Sequence, residues 1–242
     1  MVRLLRSALF ALVFLGGSVP LMVLVLLAGA VSSAAIQRGA WLWSAWFVWC
    51  ARVLAGVRFE VRGAVPQRPS LVAFKHQSAF ETYLTLYLFD HPAVVMKAEL
   101  RRLPLWGAIA ARHGSIFVDR GRGTLAMKRL IRDGRARAEA GRPILIFPEG
   151  TRVPFGAAPP LKSGLAALYS LLDLPVVPVA LDTGRLWHKG FLKSPGVVTL
   201  AFGPDIPAGL PRGELEAAVH AAINRDPLTA PIRGPDGREA AA

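Results

Sequence analysis

From Ser7 to Gln37 the chain runs for 31 residues without a charged side chain. This limits the possible folds more than any other feature, because about 20 apolar residues suffice for a helix to cross a bilayer. Arg3 and Arg6 precede the run and Arg38 closes it. A secretory signal also starts with basic residues, and Ala28 and Ala30 could imitate a cleavage site, but the apolar core of such a signal is only about 7–15 residues long. The run is therefore read as a retained anchor. A second apolar segment, Ala40 to Ala51, contains Trp41, Trp43, Trp46 and Trp49. It is short for a span, and indole rings favour the bilayer interface. A re-entrant or interfacial helix is expected there, with a buried core helix as the alternative. Arginines flank both ends, Arg3 and Arg6 before and Arg38, Arg52, Arg58 and Arg62 after. Both ends then prefer the cytoplasm, and a hairpin bent near Gly16, Gly17 and Pro20 would satisfy both.

Past Val57 the pattern changes. Val57, Phe59 and Val61 alternate with Arg58, Glu60 and Arg62, which is strand period. Short apolar runs then alternate with helical stretches. Strands are expected at Leu71–Phe74, Ala93–Met96, Ser115–Val118, Ile144–Phe147, Val176–Leu181 and Val197–Phe202. Helices are expected at Ser78–Phe89, Pro104–Ala111, Thr124–Ala140, Ser163–Leu172 and Gly213–Asn224. Such alternation predicts an α/β fold, a mostly parallel sheet flanked by helices. The expected organisation is an N-terminal apolar helical membrane anchor over 1–56, a catalytic domain over 57–225 and a disordered polar tail over 226–242.

The net charge of +13, from 29 basic and 16 acidic side chains, suits anionic lipid, phosphorylated substrates or nucleic acid. Basic residues beside apolar segments favour the lipid readings, and no nucleic-acid-binding motif is visible. The single cysteine, Cys50, lies in an apolar stretch and reads as a packed side chain. The five histidines show no metal-ligand spacing, and no G-x-S-x-G turn provides a nucleophilic serine.

Four constellations stand out. In Lys75-His76-Gln77-Ser78-Ala79-Phe80-Glu81, the histidine follows a strand end, where α/β folds place function. Within one helix His76 and Glu81 would lie about 140° apart. They can pair only if His76 precedes the helix and Glu81 falls in its first turn. Ser78 and Glu81 also form a capping box, which explains Glu81 without catalysis. The second block runs from Lys97 through Pro104 and Gly107 to Arg120. Two cations at neighbouring strand ends could converge on a phosphate. A solvated face is the bland reading, since 12 Lys and Arg against four Asp and Glu lie between Lys97 and Arg142. The third, Phe147-Pro148-Glu149-Gly150-Thr151-Arg152, is a turn that offers Glu149 and Arg152 at one rim. The fourth, Val177-Pro178-Val179-Ala180-Leu181, reads as a buried strand.

In this order the four blocks resemble the glycerolipid acyltransferase family, most closely its branch that acylates 1-acyl-glycerol-3-phosphate. The resemblance covers roughly Phe74 to Leu181, and FPEGTR is its most specific element. It implies His76 as general base and Glu81 as the residue that orients it. It further implies Lys97, Arg120 and Arg152 on the acceptor phosphate, and Glu149, Gly150 and Thr151 shaping the acceptor pocket. The implied partners are membrane lipid, lysophosphatidic acid and an acyl thioester, either acyl-CoA or acyl-carrier protein. Neither a cofactor nor a metal is implied, and the expected location is the inner cell membrane with the catalytic domain facing the cytoplasm. The family's acid is usually an aspartate, so Glu81 is a departure: a carboxylate one methylene longer must still reach the histidine.

Overall fold

The computed structural model describes residues 1–66, 68–119, 121 and 123–229. Arg120, and residues 230–242 of the expected tail, lie outside the described residues. The first two elements are helices, α1 (Val2–Gly29) and α2 (Ser33–Cys50), and α2 continues as a π-helical turn over Ala51–Ala55. Among the described residues α1 is the one helix long and apolar enough to cross a membrane. The two helices run antiparallel. Ser18 Oγ accepts from Trp43 Nε1 at 3.0 Å, and Arg6 Nε donates to the Leu54 carbonyl at 3.1 Å. The reversal falls at Ala30–Ser32 and not at Pro20, which sits inside the continuous α1. The expected bending point is corrected accordingly. Gly17 and Gly39 serve close packing instead: a Cβ at Gly17 would come within 2.7 Å of the Trp46 ring, and one at Gly39 within 2.4 Å of Val25.

The tryptophan segment divides between the two readings the sequence allowed. Trp43 is buried, and Trp46 donates its indole N–H to the Phe14 carbonyl, so both are used in helix packing. Trp41 and Trp49 remain about half exposed.

The rest of the described chain folds as β1 (Val57–Arg62), β2 (Leu71–Phe74), α3 (Phe80–Leu88), β3 (Ala93–Lys97), α4 (Trp106–His113), β4 (Ile116–Val118), α5 (Gly123–Glu139), β5 (Ile144–Ile146), α6 (Gly164–Leu172), β6 (Val176–Leu181), β7 (Gly196–Phe202) and α7 (Arg212–Asn224). Every expected strand and helix is present, within one or two residues at most ends. One sheet holds all seven strands in the order β1-β7-β6-β2-β5-β3-β4. The β6–β7 pair is antiparallel and the other neighbours are parallel. The start of the expected tail is ordered: Pro227–Thr229 form a helical turn, and Arg62 Nη1 donates to the Leu228 carbonyl.

Strand alternation builds two cores. Val72, Phe74, Val177 and Val179 face one way, against Phe10, Phe14, Phe47 and Phe80 of α1, α2 and α3. Leu71, Ala73, Ile144 and Ile146 face the other, against α5, α6 and α7. The helical hairpin therefore roofs one face of the sheet. Phe47 is fully buried at the centre of this contact. Truncation of such a side chain to alanine costs about 3–5 kcal/mol.

Candidate active site

β2, β5, β3 and β4 run parallel, so the ends that carry the sequence blocks meet at one edge of the sheet. The register pairs Ala73 of β2 with Ile146 of β5 and Lys97 of β3 with Val118 of β4. His76 thus follows β2 beside the Phe147–Arg152 turn, and Lys97 ends the strand on the far side of that turn.

His76 lies before α3 and Glu81 in the first turn of α3, the one arrangement in which this spacing works. Glu81 Oε1 lies 2.9 Å from His76 Nδ1. The carboxylate also accepts from the backbone N–H groups of Gln77 (2.7 Å) and Ser78 (2.6 Å), and from the hydroxyls of Ser78 (2.6 Å) and Thr183 (2.7 Å). Glu81 is fully buried. Burial alone would raise its pKa, but the hydrogen bond and charge of His76, with the Ser78 bonds, outweigh burial and hold it below the usual value. An ionised carboxylate can only accept, so Nδ1 carries a proton, and in the neutral ring the lone pair is on Nε2. Nε2 has no hydrogen-bond partner among the described residues. Capping and pairing coexist at Glu81, since it closes on the Ser78 N–H as a capping box does while it holds His76. The longer side chain departs from the expected aspartate and still reaches the ring.

The backbone of His76 is held on both sides by the third block. Its N–H donates to Glu149 Oε2 at 3.0 Å, and its carbonyl accepts from the Val153 N–H at 2.8 Å. Phe147 lies against the imidazole, with ring centroids 4.2 Å apart. Glu149 is therefore not at the rim where the sequence placed it. It is buried and ion-paired with Lys75, whose ammonium also donates to the Ala157 carbonyl and Asn224 Oδ1. This pair lies beneath the histidine and links the first block, the third block and α7. A buried ion pair is weak evidence of stability. Its effect here is to fix where the His76 backbone sits.

Gly150 turns the chain at φ 72°, a conformation that favours glycine. Thr151 and Arg152 then emerge exposed. Burial raises the pKa of the half-buried Tyr83, with the charge of Arg152 opposing the rise. Lys97 is exposed at the end of β3. The structure therefore brings His76, Glu81, Lys97, Gly150, Thr151 and Arg152 to one edge, with Glu149 underneath.

Thr183 was missed by the sequence reading, which stopped at Leu181. The available signal was its place just past the C-terminal end of a buried strand. Gln77 was passed over too, and its Oε1 accepts from the Gly184 N–H at 2.9 Å. An apolar pocket opens between the hairpin and α3 and α4, lined by residues including Leu21, Val25, Trp43, Tyr83, Met96 and Trp106.

Comparison with known proteins gives this arrangement a context. The Acyltransferase family profile matches residues 57–182, just over half of the chain. The 1-acyl-sn-glycerol-3-phosphate acyltransferase of Pseudomonas aeruginosa is 38% identical over 169 residues, 69% of this chain and 66% of that protein. The human 1-acyl-sn-glycerol-3-phosphate acyltransferase beta is 30% identical over 182 residues, 72% of this chain and 65% of that protein. The matches thus span slightly less than two thirds of these relatives' own lengths. A lyso-ornithine lipid O-acyltransferase of Pseudomonas aeruginosa is 35% identical over 140 residues, 57% of this chain and 53% of that protein. The crystal structure of the 1-acyl-sn-glycerophosphate acyltransferase of Thermotoga maritima shares the fold, with a TM-score of 0.70 at 21% identity over 92% of this chain and 93% of that one. With His76, its buried carboxylate partner Glu81 and the FPEGTR turn on one sheet edge inside the matched region, the chain belongs to the Acyltransferase family.

Proposed function

We propose that the protein transfers a fatty acyl group from an acyl thioester to the sn-2 hydroxyl of 1-acyl-glycerol-3-phosphate, forming phosphatidic acid. The observation that carries this reading is the His76–Glu81 pair on the same sheet edge as the exposed cations Lys97 and Arg152. His76 Nε2 takes the hydroxyl proton as the oxygen attacks the thioester carbonyl. When the resulting tetrahedral intermediate collapses, the C–S bond breaks and the imidazolium returns the proton to the thiolate. Glu81 keeps the ring in the right tautomer and stabilises its transient charge. Lys97 and Arg152, with Arg120 as the third expected cation, hold the acceptor phosphate. Gly150 and Thr151 shape that pocket, and Glu149 positions the histidine from below. The donor is acyl-CoA or acyl-carrier protein, and the chemistry needs no cofactor.

The hairpin supports membrane association. Its outward residues Leu5, Leu12, Leu15, Leu24 and Leu27 are all more than 60% exposed. We place it in the inner cell membrane with both ends, and the catalytic domain, on the cytoplasmic side. The antiparallel packing of α1 and α2 returns the chain to the side where it started.

A second acceptor, a lyso-ornithine lipid, has the similarity to the Pseudomonas enzyme in its favour. The cations at the site favour a phosphate. Purified protein given a panel of lysolipids, with acyl-CoA and acyl-carrier protein in turn, tests this reading. Preference for lysophosphatidic acid is expected. Transfer to the ornithine lipid alone, or to none of the panel, would overturn it.

A further inference from the structure

The segment from Trp187 to Pro195, between β6 and β7, is not used by the mechanism above. Its ends are closed on each other: Ser194 N–H donates to the Leu186 carbonyl at 2.9 Å, and His188 Nε2 lies 3.1 Å from Ser194 Oγ. Lys193 tightens the loop from within, its ammonium donating to the carbonyls of His188 and Gly190 and lying over the Trp187 ring. Trp187 itself is buried against Phe10, Phe47 and Phe80. A loop anchored this firmly nevertheless leaves Phe191 54% and Leu192 40% exposed at its tip, next to the exposed Lys189.

The tip adjoins the foot of the hairpin. Arg3 Nε donates to the Lys193 carbonyl at 3.2 Å, and the Lys193 N–H donates to Ser7 Oγ at 2.9 Å. Val2, Leu4 and Leu5 of the same foot are more than half exposed. The charge here has one sign: no Asp or Glu occurs before Glu60, and none lies between Asp182 and Asp205. Exposed aromatic and aliphatic residues beside cations, continuous with a lipid-facing helix, match the chemistry of an anionic bilayer surface.

We propose that this loop is a second membrane contact, in which Phe191 and Leu192 enter the headgroup region of an anionic bilayer while Lys189 and Arg3 face lipid phosphates. It rests on the reading of the hairpin as a membrane anchor. β6 runs parallel to β2, so the loop leaves the sheet at the same edge as His76, and the contact sets that edge against the surface from which a lysolipid acceptor arrives.

The test uses the full-length protein with Cys50→Ala and single cysteines at Phe191, Leu12 or Ser170, each carrying an environment-sensitive fluorophore. Leu12 is on the exposed face of α1, and Ser170 is exposed on α6 across the sheet. The proteins are reconstituted into phosphatidylcholine–phosphatidylglycerol vesicles and quenched by nitroxide lipids or by aqueous iodide. The label at 191 should be quenched by shallow nitroxides and be several-fold less accessible to iodide than the label at 170. Labelled Leu192→Cys should report the same if the first label disturbs the loop. A label at 191 and 192 that behaves like the one at 170, while 12 reports lipid, overturns the loop contact and leaves the anchor standing. If 12 also reports only water, both readings fall.

Discussion

His76 and His113 sit at opposite edges of the same sheet, and their surroundings give the same side chain opposite chemistry. His76 follows the C-terminal end of β2, with its ring against the buried carboxylate of Glu81 and one nitrogen free. His113 ends α4 just before β4, 4% exposed, with its ring edge-on to His91. Burial first, then the nearby charges of His91, Arg142 and Arg137, push its pKa down to about 3. The arginines divide in the same way. Arg152 emerges into solvent on the C-terminal edge. Arg142 on the other edge is buried and donates to the carbonyls of His91, Pro92 and His113, closing three loops over the strand starts. Gly114 admits it, since a Cβ there would come within 2.4 Å of its guanidinium. One edge leaves His76 Nε2 and the Arg152 guanidinium open, and the other commits the Arg142 guanidinium to internal carbonyls. Residue type alone does not distinguish an open site from a clamp.

The hardest test of this contrast is His76→Ala against His113→Gln. Loss of the general base should lower turnover by about 10²–10⁴-fold. Folding should survive, because the His76 backbone bonds to Glu149 and Val153 remain. His113→Gln should leave turnover near normal. Equal loss of turnover in both purified variants would break the comparison.

Glu81→Gln sharpens it, with an expected loss of about 10²-fold in kcat. Its amide oxygen can take the place of Oε1 and accept the two backbone N–H groups, while the Ser78 and Thr183 hydroxyls turn to accept from the new NH₂. The melting temperature should therefore move by only a few degrees. What the variant lacks is the negative charge that stabilises the imidazolium. Unchanged activity would leave capping as the whole role of Glu81.

The opposite edge should show itself in stability against pH. A histidine with a lowered folded pKa is neutral in the native state and takes up a proton on unfolding. Stability is then full above the unfolded value of about 6.5 and falls as pH drops from there toward 3. Between pH 7 and pH 5 the loss from His113 should be about 2 kcal/mol. Thermal unfolding of the native protein and of His113→Gln at both pH values checks this. Equal acid sensitivity in the two would show that His113 is not responsible.

The smallest expected effect is that of Arg152→Ala. Removing one charge-assisted contact to a phosphate should raise the acceptor KM about 10-fold and leave the donor KM nearly unchanged. Equal changes in both would remove Arg152 from the phosphate side.

Much of this was legible in the order of residues. Apolar period 2 in β1, the continuous apolar runs of β2 and β6, and the breaks between them depend on local burial. They place the elements without any knowledge of neighbours. The five-residue spacing of His76 and Glu81 set the one geometry in which they could pair, and the structure adopts it. What local pattern could not contain is any partner distant in the chain. Thr183 reaches Glu81 from 102 residues away, and Lys75 reaches Glu149 from 74. Glu149 reads as a rim residue because it sits in a Pro–Gly turn beside Arg152, yet Lys75 and the His76 N–H hold it inward. The Trp segment was ambiguous for the same reason, since Trp43 is buried and Trp46 half-buried only because α1 folds back onto α2. Side-chain periodicity depends on a residue's own backbone, so the sequence carries it. Burial of a charge, and the function it then serves, depends on which other segment supplies the opposite charge or the donor, and only the packed fold decides that.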